Sequence, residues 1–431
     1  MVRHAAASGE LDGDVTLSWL SVDAKTGVIL ADLPDLDVPK VSRSICRYDS
    51  TTATLPVPTA PEGWELATRP GGAVMILTDD SGAAFGLPPN PLWGGLVTVR
   101  PRGSSDVIPM SLATMEAYLD RRFVGDVTYT AQGRNWVAGD LVTRYVAAGP
   151  LGGIPIRVVL IGGVGALIDR TYADANDKTV YSVLNELAAL TDSDPIEYTI
   201  GWEHQTSPER YTPVFYVGSR IGAAVMPGMA TTATFDLPGC ITDALQTEDY
   251  SAGRGANDVM AVSTPLSTGR PQSAHHLAPD DGRPTYEHRY TPSSGISEIP
   301  TLDDHAAATL AALKDGATAL ALSASVMASS TKPAAPVLGT DWNLGDDIGY
   351  EIGGLEADPR KHMVDVYADT FVDTWVDQFF PTGTAMVLVN PDGRPSVPAF
   401  PNGLNGTQRA IGWEMTLGVT PVVTPILVNG A

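Results

Sequence analysis

Residues 111–126 read SLATMEAYLDRRFVGD, and residues 99–110 ahead of them read VRPRGSSDVIPM. Upstream of this stretch the chain is short apolar runs broken by Pro and Gly, so a first helix is expected here. Ser111 is placed to cap it, because a hydroxyl there can accept from an unpaired first-turn amide. Leu112, Met115 and Leu119 fall at i, i+3 and i+7, which is one helical face. Asp120, Arg121 and Arg122 lie at the far end, and Gly125 stops it. The plain expectation is an amphipathic helix laid on a β-rich body.

Working upstream, Val15 to Leu20 alternates and predicts a half-buried strand. Val28 to Leu33, Val41 to Tyr48, Thr51 to Leu55, Trp64 to Leu66, Ala73 to Leu77 and Leu96 to Val99 continue as short strands. Turn chemistry separates them, as at Asp79-Asp80-Ser81-Gly82. Such spacing predicts a small sandwich or barrel.

Downstream come Val127 to Thr130, Asn135 to Val146 and a buried-strand candidate at Arg157 to Ile161. Asp177 to Leu190 predicts a second helix, with a stripe of Val180, Val183, Leu184, Leu187 and Leu190 and a cap at Asn176-Asp177. Tyr198 to Glu203 and Val214 to Val217 predict strands. The region 227–301 is mostly loop, with Phe235, Val259 and Val262 as strand candidates. Thr301 opens a third helix, with Asp304 completing a short capping box, Leu302, Leu310 and Leu313 on its apolar face and Gly316 ending it. Ala319 to Val326 and Ile348 to Ile352 are strands. Asp365 to Phe380 reads equally as a helix or a strand pair.

Composition bounds what this chain does. At 431 residues it is long enough for two to four domains. Its 43 Gly and 34 Pro favour many turns and short strands. The net charge of −23, from 50 acidic and 27 basic residues, repels phosphates and argues against nucleic-acid binding. Cys46 and Cys240 alone cannot staple a chain of this size. The opening MVRHAAASGELDGD has no apolar signal core, and the apolar run 154–168 is broken by Pro155, Arg157 and glycines. A soluble protein made in a cytoplasm is expected.

Chemistry has little positive support. Ile161-Gly162-Gly163-Val164-Gly165-Ala166 resembles a glycine-rich loop after a strand, but lacks the Gly-Lys-Ser/Thr of a phosphate loop and the third glycine of a dinucleotide fingerprint. A tight turn is the expectation. His275, His276, Asp280, Asp281 and His288 are a cluster of ligand types without a metal spacing, and a solvated loop is expected. No nucleophile elbow or His-Glu-x-x-His helix occurs, and a carboxylate pair without geometry is not a glycosidase. The chain is expected to be no enzyme, with no catalytic residue, no metal and no cofactor.

The remaining motifs are ordered along the chain. They are Val15-Thr16-Leu17-Ser18-Trp19, Thr51 to Pro56, Gly63-Trp64-Glu65, and Pro91-Leu92-Trp93-Gly94-Gly95 with the stretch 111–126. Ile200-Gly201-Trp202-Glu203, Tyr216 to Gly222, Leu338 to Ile348 and Arg409 to Glu414 follow. Taken in this order they resemble minor tail proteins of siphophages that infect actinobacteria, which look like the baseplate hub, or tail-associated, proteins of tailed phages.

That resemblance implies an α+β fold, predominantly β, with two small β-barrel domains and helix-containing cup domains. The implied domains are a barrel at 1–105, a cup insertion at 106–195, a second barrel at 196–352 with the loop insertion 227–301, and a β-rich domain at 353–431. Trp93, Gly94, Gly95, Trp202, Gly218, Gly222, Trp342, Leu344, Gly345, Asp346, Gly412 and Trp413 are the implied structural motif residues. The implied role is a homotrimeric hub at the virion tail tip, assembled in the host cytoplasm, that closes the distal tail tube. Its neighbours would be the distal tail protein ring, the tape measure protein and other minor tail proteins. DNA would pass an acidic channel without specific binding. Two rivals stand beside this. One is a receptor- or carbohydrate-binding tail protein with a groove lined by Trp93, Trp342 or Trp375. The other is a tail-associated cell-wall hydrolase.

Overall fold

The computed structural model describes residues 16–431 apart from 190–195, 227–228, 238, 252, 266–268, 293–295, 328–333, 354–387, 390–394, 397–402 and 430–431. The chain divides into two units, residues 1–243 with 322–431, and residues 244–321.

In the larger unit, Ala73–Asp79 (AVMILTD) is buried at every position. A short run that is apolar on both faces belongs inside a covered sheet. It lies third in a six-stranded antiparallel sheet of order Ile29–Asp32, Leu17–Asp23, Ala73–Asp79, Asn90–Val99, Val107–Thr114 and Ser50–Pro56.

The strand Val107–Thr114 corrects the expected helix over 111–126. Ile108, Met110 and Leu112 alternate into the core, so period two wins through Thr114. Ser111 sits in the ladder opposite Thr52 and caps nothing. Only Glu116–Leu119 is helical, one turn that buries Leu119 just after the buried Met115. The segment 64–66 is likewise one helical turn, Trp64–Ala67, rather than a strand.

A hairpin of Glu197–Thr206 and Glu209–Gly218, with Arg157–Ile161 parallel to its second strand, forms a three-stranded sheet. Val127–Gly133 and Leu167–Tyr172 form a two-stranded one. Helix Val180–Ala188 buries Val180, Val183, Leu184 and Leu187 of the expected stripe, and Leu190 lies outside the described residues. Its cap is Thr179, whose hydroxyl accepts from the Ser182 amide, rather than Asn176-Asp177. Arg134–Tyr145 is a helix in the segment 135–146, to which the sequence pattern assigned no element. One core joins these parts. It takes Leu20, Val74, Ile76 and Leu96 with Leu119, Val137, Leu141, Val183, Ile200 and Phe215, so it draws on both sides of residues 105 and 195.

A seven-stranded sheet has the order Thr234–Leu237, Asp347–Ile352, Leu404–Thr416, Val422–Asn429, Ala317–Ser325 and Ile241–Asp249. Lys40–Ser44 pairs with the far part of Leu404–Thr416. The N-terminal third of the chain is thereby stitched to its C-terminal end. No sheet among the described residues closes into a barrel, where the sequence led to an expectation of small β-barrel domains. The six-stranded sheet has its inner face covered by the three-stranded sheet and the helices, so its edge strands need not meet. The fold is predominantly β.

The smaller unit runs from Ala244, within Ile241–Asp249, to Ala321, within Ala317–Ser325. It holds a sheet of His276–Leu277, Asp258–Ala261 and Glu287–Tyr290 under helix Ile299–Leu313. Its core is Ala256, Val259, Ala261, Leu302 and Ala306. The helix begins two residues before Thr301, with Pro300 in its first turn, so Thr301 is inside it and not its cap. Regular structure at 234–237, 241–249, 258–261, 276–277 and 287–290 breaks up the long loop expected at 227–301. The ambiguous segment 365–380 lies outside the described residues.

Candidate functional site

Strand Glu197–Thr206 carries the junction of the larger unit. A strand sends alternate side chains to opposite faces. Ile200 and Trp202 turn toward the six-stranded sheet: a Cβ on Gly94 would lie 2.2 Å from Trp202 Nε1, so only glycine lets that indole approach. Trp93, beside it, is buried, donates its Nε1–H to the Ser42 carbonyl at 2.9 Å and meets Trp19 edge-on. Gly95 lies under the Trp93 ring.

The other face presents Glu197, Thr199 and Gly201 to two arginines. Arg409 forks onto Glu197, with Nη1 donating to Oε1 at 2.6 Å and Nη2 to Oε2. Its Nη2 also donates to the Ile221 carbonyl at 2.8 Å and its Nε to the Gly345 carbonyl at 3.1 Å. Arg43 donates from Nε to Thr199 Oγ1 at 3.2 Å and lies against Gly201.

Around Arg409 two loops close on each other. Gly222 (φ +83°) and Gly345 (φ +92°) are both left-handed. A Cβ on Gly222 would fall 2.0 Å from the Gly345 carbonyl carbon, and one on Gly345 would fall 2.2 Å from the Ile221 oxygen. Asp346 accepts from the Ala223 and Asn343 amides at 2.6 and 2.7 Å. Asp347 accepts from Arg220 at 2.5 Å and from the Val225 amide at 2.9 Å. Gly218 passes 2.5 Å, by the same Cβ measure, from the Ile161 oxygen.

The motif residues therefore fall into three places. Trp93, Gly94, Gly95 and Trp202 dock the hairpin on the six-stranded sheet. Gly218, Gly222, Gly345 and Asp346 form the loop clasp, with Leu344 buried in it. Gly412 and Trp413 lie opposite Ser44 and Arg43 in the seven-stranded sheet. Trp342 is fully buried, edge-on to Phe235, and donates to the Pro336 carbonyl at 3.1 Å. Glu197, Thr199, Arg43 and Glu116 were not singled out from sequence; the period-two placing of Glu197 and Thr199 on one strand face was the available signal.

The glycine-rich loop 161–166 has a structural task. Its carbonyls at Val164 and Ala166 accept the Asn135 and Arg134 amides, capping helix Arg134–Tyr145. Those amides are thus spent on the loop and are not offered to a phosphate. The histidine cluster does not converge either. His275 Nδ1 meets Asp258 at 2.7 Å, His276 lies 3.5 Å from Asp303, and Asp280 and Asp281 bind their own turn. Among the described residues no group of three or more His, Cys, Asp or Glu is set to hold a metal.

A shallow cavity of about 560 Å³ is lined by Thr232, Thr234, Asp236, Cys240, Asp341 and Glu351. Burial pushes the Cys240 thiol up to about 11, which keeps it protonated and poorly nucleophilic at neutral pH.

No family model matches the chain, and no curated protein matches it. Solved structures do. The 43 kDa tail protein of prophage MuSo2 from Shewanella oneidensis is similar at 10% identity with a TM-score of 0.50, covering 96% of this chain and 98% of that one. The chain has the fold of that tail protein. The tail protein from Neisseria meningitidis MC58 is similar at 11% identity with a TM-score of 0.48, covering 96% and 97%. Prophage tail protein gp18 from Listeria monocytogenes EGD-e is similar at 9% identity with a TM-score of 0.43, covering 96% and 94%.

Proposed function

We propose that the chain is a structural protein of a phage tail tip: a homotrimeric baseplate hub of a siphophage that closes the distal tail tube and frames the DNA exit. The observation that carries this reading is the fold shared with the MuSo2 tail protein over nearly the full length of both chains. Fold alone hosts many functions, so the site has to agree. The placing of the motif residues supports the reading, because among the described residues they join sheets and loops by packing and close glycine approach. A hub needs rigid joints and wide interfaces, and no catalytic group. The net charge of −23 suits a passage to which DNA does not adhere. Its partners on this reading are two further copies, the distal tail protein ring, the tape measure protein and other minor tail proteins.

The carbohydrate-binding alternative needed tryptophans on a groove. Trp93 and Trp342 are buried and donate inward, and Trp375 lies outside the described residues. Antibody raised against the chain and imaged on intact virions tests the proposal. Label confined to the distal tail end is expected; label on the capsid, or none on the particle, overturns it.

A further inference from the structure

One buried carboxylate takes no part in the clasp. Glu116 opens the one-turn helix after Val107–Thr114 and is 1% exposed. Its Oε1 accepts from the Ile200 amide at 2.7 Å and the Thr199 hydroxyl at 3.4 Å. Its Oε2 meets no donor at full hydrogen-bond geometry, although the Thr114 side chain and the Glu116 backbone amide also act on the carboxyl. The link to Arg43 runs through the Thr199 hydroxyl, which accepts from Arg43 Nε.

Three sheets meet at this point. Glu116 extends from the six-stranded sheet, Thr199 and Ile200 belong to the three-stranded one, and Arg43 lies on the strand that pairs with Leu404–Thr416. A carboxylate buried this deeply is an expensive anion even with those donors. A neutral carboxyl avoids most of that cost.

The groups facing Glu116 are few. Arg43 reaches it from Lys40–Ser44, Cys46 from the turn that follows, Tyr198 from Glu197–Thr206, and Thr114 from its own sheet. Tyr216, from Glu209–Gly218, acts on Arg43. Burial pushes the Cys46 thiol up to about 12 and the Tyr198 hydroxyl upward as well, so both are neutral at ordinary pH. Arg43 is then the cation that Glu116 answers to. Burial lifts the Glu116 carboxyl above its usual range, with Arg43, the Ile200 amide, its own amide and the Thr114 side chain pulling the other way. A carboxyl raised in this way holds its proton more tightly in the folded chain than in the unfolded one. Its contribution to stability is present at acid pH and is lost as pH rises through the native value.

We propose that Glu116 is a proton-operated latch at the junction of the three sheets, closed when its carboxyl is protonated and loosened when it ionises. Thermal unfolding of the full chain between about pH 5 and about pH 8 tests this, with wild type beside Glu116→Gln. Gln keeps an acceptor for the Ile200 amide and carries no charge. The wild-type midpoint should fall relative to the variant as pH rises. A difference independent of pH, or one that changes in the opposite sense, overturns the latch. Should Glu116→Gln fail to fold, Thr199→Val decides. It removes a donor to the carboxylate, so the pH of loosening should move upward; an unmoved pH overturns the proposal.

Discussion

Arg409→Ala should be the most damaging single truncation in the clasp. The guanidinium is 12% exposed and its partner Glu197 is 19% exposed, so solvent screens the pair little. Truncation leaves Glu197 holding the Ile221 amide without its guanidinium, and removes Arg409 from the Ile221 and Gly345 carbonyls. Breaking a buried pair from one side costs about 3–5 kcal/mol, because the other charge stays buried. Urea unfolding followed by tryptophan fluorescence reads this cleanly. All eight tryptophans lie in the residues of the larger unit, so the signal does not mix the two units. Arg409→Lys keeps the charge without the fork and should recover only part of the loss. The double variant Arg409→Ala with Glu197→Ala should be less damaged than the sum of its singles, since no orphan charge remains. A loss below about 1 kcal/mol for Arg409→Ala, or strict additivity in the cycle, would refute the clasp as a strong joint.

Two further outcomes follow from the same geometry. Gly345→Ala combines a left-handed backbone with a Cβ 2.2 Å from the Ile221 oxygen, and should cost more than the roughly 1 kcal/mol of an unobstructed Gly→Ala change at positive φ; an unshifted urea midpoint would show that the two loops do not touch. Cys46 and Cys240, held protonated by burial with values of about 12 and about 11, should resist iodoacetamide in the native chain at neutral pH and react after denaturation; rapid native labelling would contradict their placement.

Most strands were legible because their pattern is local. Arg157–Ile161 has the bounds the pattern predicts, although the strand is half-buried rather than buried, and the stripe of helix Val180–Ala188 lies in plain view. The segment 111–126 misled because Leu112, Met115 and Leu119 are all buried, yet the first belongs to a strand and the last to a helical turn. Helix Arg134–Tyr145 was missed for a different reason. Gly139 and Asp140 interrupt its stripe, and its cap is a distant backbone loop rather than a side chain. The clasp shows where sequence reading stops. Gly222 and Gly345 stand out as motif glycines, but the role of each depends on the other. Arg409 and Glu197 are 212 residues apart, a pairing that no local period reveals.

The central claim is a trimeric hub, and the native mass of the purified chain in solution tests it most directly. The monomer is 45.3 kDa. The account predicts a species of three times that mass, stable on dilution; a clean monomer at high concentration would contradict it.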